Sequence, residues 1–203
     1  MKSKLLVLIG LMIYTLSVQA QDTIPQKQES EISISQDDFP QNAITLLQHV
    51  SEVDKIKFFQ RQPSDGEEIY EAKLKLKGHE YNASFDSVGT LRTVEVQIDY
   101  KEISPDSTAA AVKQYFEDDF QKMRVLSTTK KFFPAGPGLE IDTVIESIQK
   151  GEVNTFLIVK YQVQVSGQRK SAPATIYDVT FDHLGVFEKM QQVELHNMEN
   201  IIF

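Results

Sequence analysis

The spacing of apolar residues along positions 39–100 changes from helical to alternating. Apolar side chains at helical spacing follow Pro40: Ala43, Ile44, Leu47 and Val50. They predict a short amphipathic helix that ends near residue 51, with Pro40 in its first turn. Apolar residues then alternate with polar ones over 70–76, 81–85 and 94–100. Each stretch predicts a strand with one buried face, so a helix is followed by an antiparallel meander.

Residues 104–195 repeat this order. The Ser-Pro-Asp sequence at 104–106 predicts a helix start, and apolar residues at helical spacing continue to about Met123. Three further strands are predicted by alternation over 157–165, 175–181 and 186–195. Between the helix and these strands, the periodicity of residues 130–155 leaves helix and strand both open, with a candidate short helix near 141–148.

One sequence frame occurs in both halves. Residues 81–91 read YNASFDSVGTL and residues 177–187 read YDVTFDHLGVF, so Tyr, Phe-Asp and Gly recur in the same spacing. The two Asp and Gly pairs are Asp86 with Gly89 and Asp182 with Gly185. A carboxylate accepts a bond from a backbone N–H two residues on, and Gly supplies a positive φ, so both pairs are predicted to form turns. A calcium loop needs more oxygens than either turn supplies.

These elements predict an α+β fold of two tandem units, each a helix with an antiparallel meander. The units are residues 39–101 and the longer 102–203. Each sheet buries one face, which its helix can cover. The alternative fold is a single cone like that of nuclear-transport-factor-like proteins. In that fold apolar Phe and Tyr side chains would line a pocket for a small apolar ligand.

The first 38 residues are set apart from this domain. Residues 1–20 carry two lysines, an apolar run too short to span a bilayer, and small residues before the end. This pattern predicts a signal peptide cut between Ala20 and Gln21. Gln21 is not the acylated cysteine of a lipoprotein, so a periplasmic or secreted protein without stable membrane insertion is expected. Residues 21–38 are polar and predict a flexible linker.

The overall charge and residue usage restrict the chemistry. The formal net charge is −8, which argues against nucleic acid and anionic membranes as partners. The chain has no cysteine and therefore no disulfide or thiol chemistry. Its 4 histidines lack the spacing of a zinc site. No catalytic, cofactor-binding or metal-binding residue is predicted, and the protein is expected not to be an enzyme.

The repeated frame, with its preceding helix and flanking strands, resembles the PepSY-like repeat of exported Bacteroidetes proteins, which is related in architecture to the β-lactamase inhibitory protein. The resemblance is good over residues 39–100 and weaker over 104–195. It implies an exported, non-enzymatic binding module that acts through a sheet face, on a periplasmic or extracellular protein, as an inhibitor or regulator. The sequence does not indicate the identity of that partner or the oligomeric state.

Three lysines follow one side of the strand predicted at 70–76: Lys73, Lys75 and Lys77. In a strand, alternate residues share a face, so these side chains form one column. Such a column is a candidate contact for an acidic partner. It is also a common way to solvate a sheet face or to keep an edge strand from pairing with another molecule.

Four Asp-Ser/Thr-apolar triplets resemble the acceptor sequence of Bacteroidetes O-glycosylation. Their hydroxyl residues are Thr23, Ser87, Ser107 and Thr143. If they carry glycans, each should lie on an exposed turn or helix end.

Overall fold

The computed structural model describes residues 26–27, 29–63, 67–76, 78–136, 139–150, 156–170 and 172–193. The predicted signal peptide, its cleavage site at Ala20 and Gln21, Thr23 and Lys77 lie outside these residues. Within the described ranges, no helix combines the length and the apolar character that crossing a membrane requires.

One sheet contains ten strands in the order β1-β10-β9-β8-β7-β6-β5-β4-β3-β2. The strands are β1 (Gln26–Lys27), β2 (Glu29–Ser33), β3 (Val53–Pro63), β4 (Ile69–Leu76), β5 (His79–Phe85), β6 (Leu91–Ile98), β7 (Phe120–Pro134), β8 (Leu157–Arg169), β9 (Ala174–Asp182) and β10 (Phe187–Val193). All neighbours pair antiparallel except β1 and β10, which are parallel. The α+β class predicted from the periodicity is confirmed.

The described residues form three α-helices: α1 (Gln41–Gln48), α2 (Asp106–Asp119) and α3 (Ile141–Lys150). Helix α2 begins one residue after Pro105, whose ψ of 175° is extended rather than helical. Helix α3 falls where the periodicity left helix and strand open, and it buries Ile141, Val144 and Ile145. All three helices contribute to the same apolar core.

Aromatic contacts join the helical layer to the sheet at both ends of the core. Phe39, just before α1, lies 5.8 Å from Phe85 of β5 between ring centroids. Phe116 of α2 lies 5.5 Å from Phe181 of β9. Phe85 and Phe181 are fully buried and occupy the same position of the repeated frame. The helices and the sheet therefore enclose a filled apolar layer.

The N-terminal strands join the two edges of the sheet. Strand β1 pairs with β10 and β2 pairs with β3, although only residue 28 separates β1 from β2. An extended chain advances only about 3.3–3.6 Å per residue, so both edges meet one short part of the chain. We call residues 26–27 and 29–33 the strap. The sheet between these edges must curl.

The polar face of the sheet is the inner, concave face of this curl. The helices pack on the other face, where they share one apolar core with the sheet. Residues on the face away from the helices are nevertheless buried, among them Glu71 and Asp178, which are 4% and 5% exposed. Curling of the sheet explains this burial without a covering helix.

The strap differs from the flexible linker expected at residues 21–38. Strand β2 pairs along β3 from Glu29–Pro63 to Ser33–Phe59, and the Ile34 N–H donates to the Phe58 carbonyl at 3.1 Å. Residues 21–38 contain only isolated isoleucines, so too little apolar burial is expected to order this segment. The order comes instead from backbone hydrogen bonds to a sheet edge, which residue composition does not reveal.

The sequence pattern did not predict strand β3 or the N-terminal part of strand β7. Strand β3 breaks the alternation because Phe59 lies on the polar face, while Gln60 lies on the side of the helices opposite Tyr70. Strand β7 contains register shifts near Phe120 and Val125. A shifted register moves the following side chains to the other face and hides the period of two.

A disulfide between the strap and β10 should stabilise the fold. Lys27 and Val193 are register partners, and neighbouring strands lie about 4.8 Å apart, within the range of a disulfide. The chain has no other cysteine, so Lys27→Cys/Val193→Cys can form only this bond within one molecule. We expect it to raise the free energy of unfolding by about 2 kcal/mol, lost on reduction. Two freely titrating thiols under oxidising conditions would contradict the position of the strap.

Candidate binding groove on the concave face

A groove of about 550 Å³ opens on the concave face of the sheet. Its walls are side chains and backbone of β3 to β7, and it is lined by Lys55, Lys57, Phe59, Lys73, Leu74, Lys75, Glu80, Tyr81, Asn82, Glu95, Gln97 and Thr129. This volume is within the range of small-molecule and peptide sites. The groove lies on the opposite face of the sheet from the apolar core.

Four lysines form a two-by-two block in the groove, which we call the lysine block. Lys55 is the register partner of Lys75, and Lys57 is the register partner of Lys73. The sequence predicted the column that contains Lys73 and Lys75. It missed Lys55 and Lys57 because β3 was not predicted, although Lys-Ile-Lys at 55–57 carries the short alternation of a strand.

One lysine of the block already holds a carboxylate. Lys73 Nζ lies 2.6 Å from Glu31 Oε1 of the strap and 4.3 Å from the ring centroid of Phe59. Lys55, Lys57 and Lys75 are exposed, and among the described residues none of them forms an ion pair. The block therefore offers cationic groups that the described part of the protein does not neutralise.

A buried polar cluster supports the floor of the groove next to the block. Arg61 Nε lies 2.8 Å from Glu71 Oε1, and Asn82 Nδ2 donates to Glu71 Oε2 at 3.2 Å. Glu71 and Ser84 are only 4% and 3% exposed. Loss of either partner of a buried ion pair leaves an uncompensated charge, so removing Arg61 or Glu71 would destabilise this part of the sheet.

The two turns of the repeated frame have the same hydrogen bonds. In the first, Asp86 Oδ1 accepts from the N–H of Val88 at 3.1 Å and of Thr90 at 2.8 Å. In the second, Asp182 Oδ1 accepts from the residues at the same offsets, at 2.9 Å and 2.8 Å. Gly89 and Gly185 follow with φ of 85° and 82°. Each aspartate thus holds its own turn.

Each turn is also bonded to a neighbouring helix. Asn42 of α1 donates from Nδ2 to the Val88 carbonyl at 2.8 Å. Thr108 of α2 donates from Oγ1 to the His183 carbonyl at 2.8 Å. Both turns lie at the rim of the curled sheet, away from the lysine block, because they connect β5 with β6 and β9 with β10.

The groups with shifted pKa values lie on the helical side rather than in the groove. Burial, with a smaller contribution from the charge of Asp119, raises the pKa of Tyr115 to about 12. The hydrogen bond from Arg169 to Asp119 raises the pKa of Arg169. Both shifts preserve the protonation state that these side chains have at neutral pH. Within the described chain, no group of three His, Asp or Glu side chains could hold a metal.

The glycosylation candidates within the described residues are exposed. Ser87 lies in the turn of Asp86, Ser107 in the first turn of α2 and Thr143 in the first turn of α3. We expect the exported protein to have an intact mass above that of the bare chain, and the excess to fall when Ser87, Ser107 and Thr143 are replaced by alanine. Mass spectrometry of protein from a Bacteroidetes host tests this, with protein made in a host lacking the glycosylation system as control. A mass equal to the bare chain would contradict it.

Three solved structures with similar folds come from Bacteroides species. A DUF2874 family protein from Bacteroides ovatus superposes with a TM-score of 0.52 at 15% identity, over 81% of this chain and 94% of that one. A BLIP-like protein from Bacteroides fragilis gives 0.48 at 14% identity, over 81% and 92%. A putative periplasmic protein from Bacteroides eggerthii gives 0.44 at 15% identity, over 76% and 88%.

No family model matches the sequence, and no curated protein matches it at a significant level. The likeness at these identities is one of fold. The fold of the Bacteroides ovatus protein agrees with the resemblance to Bacteroidetes proteins of this architecture that the repeated frame indicates.

Proposed function

We propose that the protein is an exported, non-enzymatic module that binds another protein through the concave face of its sheet. The observation that carries this proposal is the 550 Å³ groove on a polar sheet face that is backed by a tightly packed helical layer. A rigid scaffold that presents a concave surface from several strands is suited to recognition, because little conformational entropy is lost on binding.

The expected mode of action is inhibition or regulation of the bound protein. The two frames, with their matching aspartate turns and buried Phe85 and Phe181, support an origin of the sheet from two similar units. Two joined units give a face wide enough to cover part of a folded partner. The cone-shaped alternative with an apolar ligand is less favoured, because the groove lies on the polar face. A second, open cavity of about 410 Å³ lies between α1 and the turn at 88–91, at the rim of the apolar layer and not enclosed by it.

Site-specific photocrosslinking tests this proposal in the producing organism. A photoreactive amino acid at Lys75 in the groove should give one discrete crosslinked product with a protein, identified by mass spectrometry. The same amino acid at Lys113, exposed on α2, should not give that product. The identified partner should then bind the purified protein and lose activity or change activity on binding. A crosslink from Lys113 and none from Lys75 would refute the proposed binding face.

A further inference from the structure

The lysine block is locally opposite in charge to the rest of the protein. The chain contains 29 acidic and 21 basic residues, yet the groove lining contains four lysines and the two glutamates Glu80 and Glu95. One of these glutamates is already neutralised, because Glu95 lies 2.7 Å from Lys131. A net acidic protein therefore presents a cationic groove on one face.

The lysines of the block face each other across two strands. Lys55 and Lys75 are directly opposite each other on adjacent strands, as are Lys57 and Lys73. Like charges at such positions repel and destabilise a sheet. Glu31 contacts Lys73, and Glu80 of β5 is the register partner of Lys75, so carboxylates of the protein itself face one lysine of each pair. Among the described strands, Lys55 and Lys57 have no acidic register partner and, together with Lys75, form a site for further carboxylates.

The geometry of the block points to a peptide segment in extended conformation. Lys55 and Lys57 are two residues apart on β3, as are Lys73 and Lys75 on β4. Residues i and i+2 of a strand share a face and lie about 6.6–6.8 Å apart. Carboxylates at alternate positions of an extended segment have the same spacing. Phe59, beside Lys73, provides an apolar surface for the aliphatic part of the bound side chains.

We infer that the groove binds a partner protein through an extended acidic segment with Asp or Glu at alternate positions. The contact between Glu31 and Lys73 shows one such carboxylate in place, supplied by the strap of the protein itself. The inference rests on the proposed function and names the chemistry of the partner's contact segment.

A labelled peptide of alternating Glu and Ser tests the inference by fluorescence anisotropy. A peptide of the same composition with its glutamates in one block serves as the spacing control. We expect the alternating peptide to bind more tightly, with affinity that falls as salt is added because the contacts are exposed ion pairs. Replacing Lys55, Lys57 and Lys75 by glutamine should weaken binding by roughly tenfold or more.

The matched control variant replaces Lys101, Lys113 and Lys150, exposed lysines outside the groove, by glutamine. It makes the same change in net charge and should leave peptide binding unchanged. Equal binding by both triple variants would overturn the inference, as would equal binding of both peptides. An anionic polysaccharide such as polygalacturonate could instead bind more tightly than the alternating peptide and lose that binding in the Lys55, Lys57 and Lys75 variant. That result would overturn the assignment to a protein segment. A partner crosslinked at position 75 whose binding is insensitive to the three glutamines would overturn the acidic segment while leaving the proposed function intact.

Discussion

Alanine at Gly89 or Gly185 is expected to lower the free energy of unfolding by about 3 kcal/mol. Both glycines have a positive φ, which costs an L-residue about 1–2 kcal/mol. A Cβ would also lie 2.7 Å from the Ala43 nitrogen of α1 at Gly89, and 2.7 Å from the Thr108 carbonyl oxygen of α2 at Gly185. Relief of these overlaps requires the helix to move from the sheet, at an additional cost of about 1–3 kcal/mol.

Gly78 provides the control because it separates these two effects. Its φ of 84° matches those of the other two glycines, but a Cβ there would meet no atom within 4 Å. Gly78→Ala should therefore cost only about 1 kcal/mol, the conformational part alone. Urea unfolding followed by circular dichroism measures all three variants. An equal loss at Gly78, Gly89 and Gly185 would show that close packing of the turns on the helices does not contribute to stability.

Truncation of Phe181 to alanine is expected to have the largest effect, a loss of about 3–5 kcal/mol. Its ring is fully buried and lies 5.3 Å from Tyr115 and 5.5 Å from Phe116 between centroids. The substitution removes aromatic contacts to α2 and leaves a cavity that the sheet cannot close. A loss of this size is a large part of the total stability of a domain.

Two further substitutions complete this experiment, one with a smaller expected effect on stability and one with almost none. Phe181→Leu fills most of the volume and should cost less than half as much, so it remains measurable if the alanine variant does not fold. Leu184→Ala, at a side chain that is 59% exposed, should change stability by no more than about 0.5 kcal/mol. Thermal and urea unfolding should rank the variants in this order. A Phe181→Ala protein within about 1 kcal/mol of the parent would contradict the packing of α2 on β9.

The helices and most strands follow from local pattern, whereas the groove does not. Alternation over 70–76 and helical spacing after Pro40 are sufficient to predict β4 and α1. The pairing of Lys73 with Lys75 on one face is predictable in the same way, because alternate side chains of one strand share a face. Lys55 and Lys57 were not, because their relation to β4 is a register between strands and β3 has an irregular pattern.

The amino-acid sequence by itself determined the α+β class, the frame used in both halves and the chemistry of its turns. These depend on interactions within a few residues: the period of apolar side chains, the aspartate carboxylate and the positive φ of glycine. The tertiary structure alone decided that the strap joins both edges of the sheet, that the polar face is concave and that four lysines meet in one groove. Edge pairing uses backbone groups that every residue has, so no side-chain pattern specifies which edges meet.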